Sequence, residues 1–193
     1  MTAKIEFEPM PLDGALTVTP ARYGDARGHF SETYNRDALA GIGITVDFMQ
    51  DNQSWSARAG TLRGLHCQLP PHGQAKLVRV LRGRVLDVLV DARRGSASYG
   101  QHCTLELDAQ GGRQVFVPHG FLHGFLTLED DCLVSYKVDA PYAPAHDRSV
   151  AWNDDALGID WGIDADRVIL SDKDRQALGW ADFASPFTLE PVS

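Results

Sequence analysis

The sequence predicts an all-β fold, a sandwich or barrel of short antiparallel strands. Three observations carry that expectation. Strand-like runs recur at intervals of about ten residues, Gly- and Asp-rich turns such as Gly111–Gly112 and Glu129–Asp131 divide them, and helical sequence is limited to a few short stretches, mainly near the C-terminus. No repeat, low-complexity tract or linker interrupts the pattern, so residues 1–193 read as one domain, long enough for a real core.

In chain order, LTVTPAR reads as extended and YGDARGHFSETYN turns at Gly24–Asp25 and again at Gly28. Asp37 to Gly41 has room for only a short helix. ITVDFMQDNQSWS returns to strand character, with Val46, Phe48 and Gln50 alternating against Asp47, Met49 and Asp51. Gln50, Asp51 and Asn52 at its polar end suit either a site or a turn into SWSARAG. LVRVLRGRVLDVLVDA is the clearest hairpin, two aliphatic runs joined across Arg82–Gly83. Its second run has an apolar face (Leu86, Val88, Val90) and a mixed one (Val85, Asp87, Leu89, Asp91), the pattern of half-buried antiparallel sheet. HCTLELD, QVFVP, HGFLTL and CLVSYKV follow as further strands. WNDDALGIDW predicts a turn or short helix packed on the sandwich by Trp152 and Trp161. In ILSDKDRQALGW, Ser171 is placed to cap a short helix with Asp174 three positions later, as in a capping box, and spacing alone favours that role for Asp174.

Composition excludes several classes. A hydrophobic share of 44% and a charged share of 23% belong to a globular chain. No apolar run approaches the roughly 18 residues of a spanning helix, and MTAKIEFEPM lacks the apolar block of a secretory signal. A cytoplasmic protein without membrane contact is expected. The net charge of −8 argues against a nucleic-acid surface but leaves room for a small anionic substrate on clustered Arg and Lys. Cys67, Cys103 and Cys132, odd in number and far apart, read as reduced packing residues, without zinc or disulfide spacing.

One stretch is shaped to present side chains. GTLRGLHCQLPPHGQAK sets down Arg63, His66, His72 and Lys76 among glycines and prolines. In an extended chain His66 and Gln68 point away from Arg63 and Leu65. Imidazole as a side-chain type, with a reference pKa of about 6.5, suits a base near neutral pH; a core histidine satisfied by a backbone carbonyl is the alternative.

RGLHCQLPPHGQAKLVRVLRGRV, followed in order by VPHGFLHGF, YKVDAPYAP, WNDDALGIDW and LSDKD, resembles the dTDP-4-dehydrorhamnose 3,5-epimerase family from about Leu16 to Leu178. The resemblance implies a cupin-like jelly roll and an isomerase. It implies His66 as general base, Asp174 as its orienting carboxylate, Tyr136 as the acid on the opposite sugar face, and Lys76 holding charge on the C4 oxygen. Arg27, Glu32, Gln50, Asp51, Asn52, Arg63, His123, Asp147 and Lys173 would complete the pocket for a dTDP-4-keto-6-deoxyhexose. The chemistry needs neither cofactor nor metal, and the family usually forms homodimers by strand exchange. Cys67, Ser135, Pro141 and Asp147 depart from the family's usual residues, which bears on whether both C3 and C5 are inverted. Two other readings compete: a metal-dependent cupin using His66, His72 and His123, and a non-catalytic sugar-nucleotide binding module. Against the first, no H-x-H pair stands in the first motif.

Overall fold

The computed structural model describes residues 5–189. Its strands are β1 (Ile5–Pro9), β2 (Leu16–Pro20), β3 (Tyr23–Asp25), β4 (Gly28–Phe30), β5 (Gln50–Ser56), β6 (Leu62–Gln68), β7 (Lys76–Arg82), β8 (Arg84–Asp91), β9 (His102–Asp108), β10 (Gln114–Val117), β11 (Phe121–Thr127), β12 (Cys132–Val138) and β13 (Asp147–Ser149). The α-helices are α1 (Arg36–Ala40) and α2 (Asp172–Arg175). One sheet runs β1-β2-β10-β7-β12-β5 and a second β13-β6-β11-β8-β9, with β3 and β4 forming a separate hairpin. The result is an all-β, cupin-like jelly roll.

Alternation along the strands builds three apolar layers. Val78, Val80, Val115 and Val134 of the six-stranded sheet meet Val85, Leu89, Phe121 and Phe125 of the five-stranded sheet in the interior. On the outside of the five-stranded sheet, Leu65, Cys67, Val88, Val90 and Leu122 lie under Val150, Trp152, Leu157, Trp161, Phe183 and Phe187. That C-terminal segment has little regular structure. Burying large apolar side chains at roughly 1.5–3 kcal/mol each is enough to anchor it, and the Trp161 indole N–H donates to the Trp152 carbonyl at 2.8 Å. The outer face of the six-stranded sheet, with Val18, Leu77 and Phe116, is covered by Leu39 and Ile44.

Local expectations hold where the signal is local. Asn35 caps α1 by accepting from the Ala38 N–H at 3.1 Å, and Ser171 caps α2 by accepting from the Asp174 N–H at 3.1 Å. Three expectations need correction. The runs around Arg82–Gly83 form no hairpin: β7 pairs with β10 and β12, whereas β8 pairs with β11 and β9. The chain crosses at Gly83 from one sheet to the other, so the apolar faces of both runs meet across the interior. Accordingly β8 is buried on both faces, with Asp87 and Asp91 both 0% exposed. The strand expected from Ile44 begins only at Gln50, because Ile44, Val46 and Phe48 pack against the outer layer without pairing.

The third correction concerns β6. His66 lies opposite His123 but Arg63 opposite Phe125, so β6 carries one residue more than β11 between these pairs. This bulge resets the alternation. Arg63 and His66, expected on opposite faces, both point inward and line one cavity. Gly64 makes the bulge possible: its φ is +134°, and a Cβ there would sit 2.5 Å from the Gly124 Cα. Neither backbone can yield without opening the sheet. Gly64→Ala should therefore cost about 3 kcal/mol through overpacking and backbone strain, measured as a lowered urea midpoint. Gly43→Ala, with φ +91° and open space around it, should lose no more than about 2 kcal/mol.

Candidate active site

A cavity of about 370 Å³ opens between the sheets. Tyr136 on β12 and Lys76 on β7 enter it from the six-stranded sheet, and His66 and Arg63 on β6 with His123 on β11 enter it from the five-stranded sheet. Ser171 and Asp174 of the C-terminal segment close one side.

His66 is held from behind. Its Nε2 lies 2.5 Å from Asp174 Oδ1, and the Asp174 side chain is only 3% exposed. Asp174 Oδ2 accepts the Ser171 hydroxyl at 2.8 Å, so the helix cap also orients the carboxylate. Burial works to raise the Asp174 carboxyl, but the hydrogen bond and charge of His66, with the Ser171 hydroxyl and Lys173, hold it below the ordinary carboxylate range. Asp174 is thus both cap and histidine partner. With Nε2 engaged, Nδ1 is the ring nitrogen left free.

Desolvation sets the other two groups. Burial pushes the Tyr136 phenol above its ordinary pKa, with the Arg63 guanidinium offsetting part of the shift; the hydroxyl keeps its proton near neutral pH. Burial lowers the Lys76 ammonium, against the opposing influence of Cys67, Asp147 and Asp87. The Cys67 thiol itself is pushed up to about 12 by burial, which makes it an inert packing group.

His123 presents a second carboxylate–imidazole pair. Its Nε2 lies 2.8 Å from Asp87 Oδ2. Asp87 is the site residue that sequence reasoning passed over: its mixed-face position was legible, but a half-exposed strand gave it no role. Arg63 is braced by Nε donating to Ser56 Oγ at 3.2 Å and Nη2 to the Trp55 carbonyl at 2.9 Å.

The remaining candidates stand outside the cavity lining. Asn52 lies opposite Tyr136 and therefore on the same sheet face, bonded by Gln50 Nε2 at 2.8 Å. Asp51 is on the other face, 2.7 Å from Lys137 Nζ. Arg27, on the exposed β3–β4 hairpin, grips Asp25 at 2.5 Å. Glu32 has a buried Oε1 without a hydrogen-bond partner among the described residues. Asp147 pairs with Lys173 and accepts the Tyr142 hydroxyl at 2.9 Å. His72, offered to the metal reading, packs instead against His146, with ring centroids 4.4 Å apart and the planes tilted by 57°. Among the described residues, no three His, Cys, Asp or Glu side chains are grouped to hold a metal ion. Among the described residues, no helix is long and apolar enough to cross a membrane.

This two-sheet roll, with imidazole, carboxylate, phenol and ammonium side chains gathered in one cavity between its sheets, defines a cupin-like protein with a polar interior pocket. The family model described as dTDP-4-dehydrorhamnose 3,5-epimerase matches residues 9–182. Two relatives bear that name: one from Pseudomonas aeruginosa, 47% identical over 90% of this chain and 94% of its own, and one from Methanothermobacter thermautotrophicus, 45% identical over 90% and 93%. The crystal structure of a dTDP-6-deoxy-D-glucose-3,5-epimerase from Legionella pneumophila, in complex with dTDP-4-keto-L-rhamnose, superposes with a TM-score of 0.92 at 36% identity, covering 97% of this chain and all of that one. The chain belongs to the dTDP-4-dehydrorhamnose 3,5-epimerase family, and so is an isomerase.

Proposed function

We propose that the chain epimerises dTDP-4-dehydro-6-deoxy-D-glucose at C3 and C5 to dTDP-4-dehydro-L-rhamnose, with His66 as base and Tyr136 as acid. One observation carries the assignment of roles: the two side chains enter a single cavity from opposite sheets. A carbon beside the C4 ketone releases its proton to His66 Nδ1, and the electron pair moves to the C4 oxygen as an enolate. Lys76 Nζ donates to that oxygen. Tyr136 then delivers its hydroxyl proton to the carbon from the other face, which inverts the centre, and solvent resets both groups. Asp174 holds the ring orientation and favours the imidazolium formed on proton capture. Every step moves a proton, so the scheme requires no redox carrier.

Incubation with the keto-sugar nucleotide in heavy water, with chelator present, tests this reading. Deuterium should enter the sugar at C3 and C5 as seen by NMR. Incorporation at one centre alone would reduce the activity to single-centre epimerisation, and none at all would overturn the reading.

A homodimer acting in the cytoplasm completes the proposal. Phe30 is 69% and Tyr23 54% exposed on the β3–β4 hairpin, and Met49 and Trp55 are 63% and 59% exposed on and beside the edge strand β5. Large apolar groups exposed on the β3–β4 hairpin and, separately, along the β5 edge each suit a second copy. Arg27 lies on that same hairpin, outside the lining of its own chain's cavity, and we assign it to the partner's cavity. Sedimentation at the monomer mass would remove this part of the proposal.

A further inference from the structure

Asp87 and Asp91 lie on the same strand and the same inward face, and neither exposes any surface, yet their bonding differs sharply. Asp91 is saturated: Oδ1 accepts from the Arg93 backbone N–H and Nε, each at 2.9 Å, and Oδ2 from Arg93 Nη2 at 2.8 Å, Ser96 Oγ at 2.6 Å and Ser98 Oγ at 2.7 Å. That is how a buried carboxylate kept for structure is satisfied. Asp87 Oδ2 has the His123 ring at 2.8 Å, while Oδ1 has no hydrogen-bond partner among the described residues. A sealed carboxylate with an orphan oxygen costs stability, and such costs persist where function requires them.

The one side-chain hydrogen bond that Asp87 makes among the described residues reaches the cavity. His123 sits directly opposite His66 across the β6–β11 pair, and both rings line the same space. The two imidazoles are each backed by a buried carboxylate, Asp174 from α2 and Asp87 from β8. In both, Nε2 faces the carboxylate, so Nδ1 is left for whatever occupies the cavity.

We propose that Asp87 is a positioning residue for the epimerisation: it holds the Nε2–H of His123 and thereby presents His123 Nδ1 to the keto-sugar, next to the carbons that His66 deprotonates. The proposal rests on the epimerase reading of the cavity. Asp87 touches no substrate atom, and its whole effect runs through the second imidazole. A histidine free to adopt the other tautomer would offer an N–H where the sugar meets a lone pair, disturbing the alignment that proton transfer needs.

Two measurements test it. In wild-type protein labelled with 15N-histidine, the His123 resonances should show a proton on Nε2; a ring carrying its proton on Nδ1 alone would overturn the proposal without any substitution. Asp87→Asn, whose amide can donate to Nε2 instead of accepting from it, should lower kcat roughly 10- to 100-fold, the usual loss for an outer partner that orients a functional histidine, with KM changed by less than about threefold. In a His123→Gln background the same substitution should change kcat no further, because the residue it acts through is gone. Equal losses in both backgrounds, or a fall in melting temperature with kcat unchanged, would make Asp87 structural and overturn the proposal. Failure of the epimerase reading is distinguishable, since it would appear as absent deuterium exchange in the wild type.

Discussion

His66→Ala is expected to abolish deuterium incorporation at both C3 and C5 and to lower kcat by about 10⁴-fold, the upper range for removal of a general base. That factor corresponds to about 5.4 kcal/mol of transition-state stabilisation. The size follows from the cavity: among the described residues that line it, Asp174 is the one carboxylate and lies behind the His66 ring, and the second imidazole, His123, is tied through Nε2 to Asp87 and assigned to alignment. Folding should survive, because the Asp174 carboxylate keeps the Ser171 hydroxyl at 2.8 Å. Affinity for the dTDP portion should change by no more than a few-fold in calorimetry, since the imidazole meets the sugar rather than the diphosphate. His66→Asn, which can still bond to Asp174, separates chemistry from packing and should be equally inactive. Retained exchange in either variant would reassign the base.

How much of this was legible beforehand depends on the range of the interaction. The Ser171 cap and the Trp152–Trp161 anchor are set by neighbours in sequence, and both are seen as expected. The alternation in β8 was visible too, but it could not say that both faces would be covered, because the covering layers come from β7 and from Trp152 and Phe187 far along the chain. Two adjacent aliphatic runs fit a hairpin and a sheet-to-sheet crossing equally well. Only the pairing of β7 with β12 and of β8 with β11 decides between them. For the cavity, motif resemblance named His66, Asp174, Tyr136, Lys76, Arg63 and His123, all of which line it. It left out Asp87, whose meaning lies in one long-range bond, and it could not foresee that the Gly64 bulge turns Arg63 and His66 to the same side.

Tyr136→Phe is expected to separate the two halves of the reaction. Proton removal at His66 needs only the base and the donor at the C4 oxygen, so deuterium should still enter the sugar, whereas inversion needs a proton from the opposite sheet and should fall about 10³-fold. The substitution is clean. Tyr136 packs its ring against the interior layer, and its hydroxyl makes no hydrogen bond among the described residues, so phenylalanine keeps the packing and orphans no buried partner. Melting temperature should therefore stay within about 2 °C, since a stability change of 1 kcal/mol shifts a chain of this size by only about 2–4 °C. The outcomes discriminate between roles. Loss of exchange together with inversion would make the phenol a donor to the enolate oxygen; equal loss of nucleotide affinity would make it a binding residue. Exchange without inversion requires the phenol to act where His66 cannot reach, and the opposed sheets provide that separation because each contributes one of the two groups.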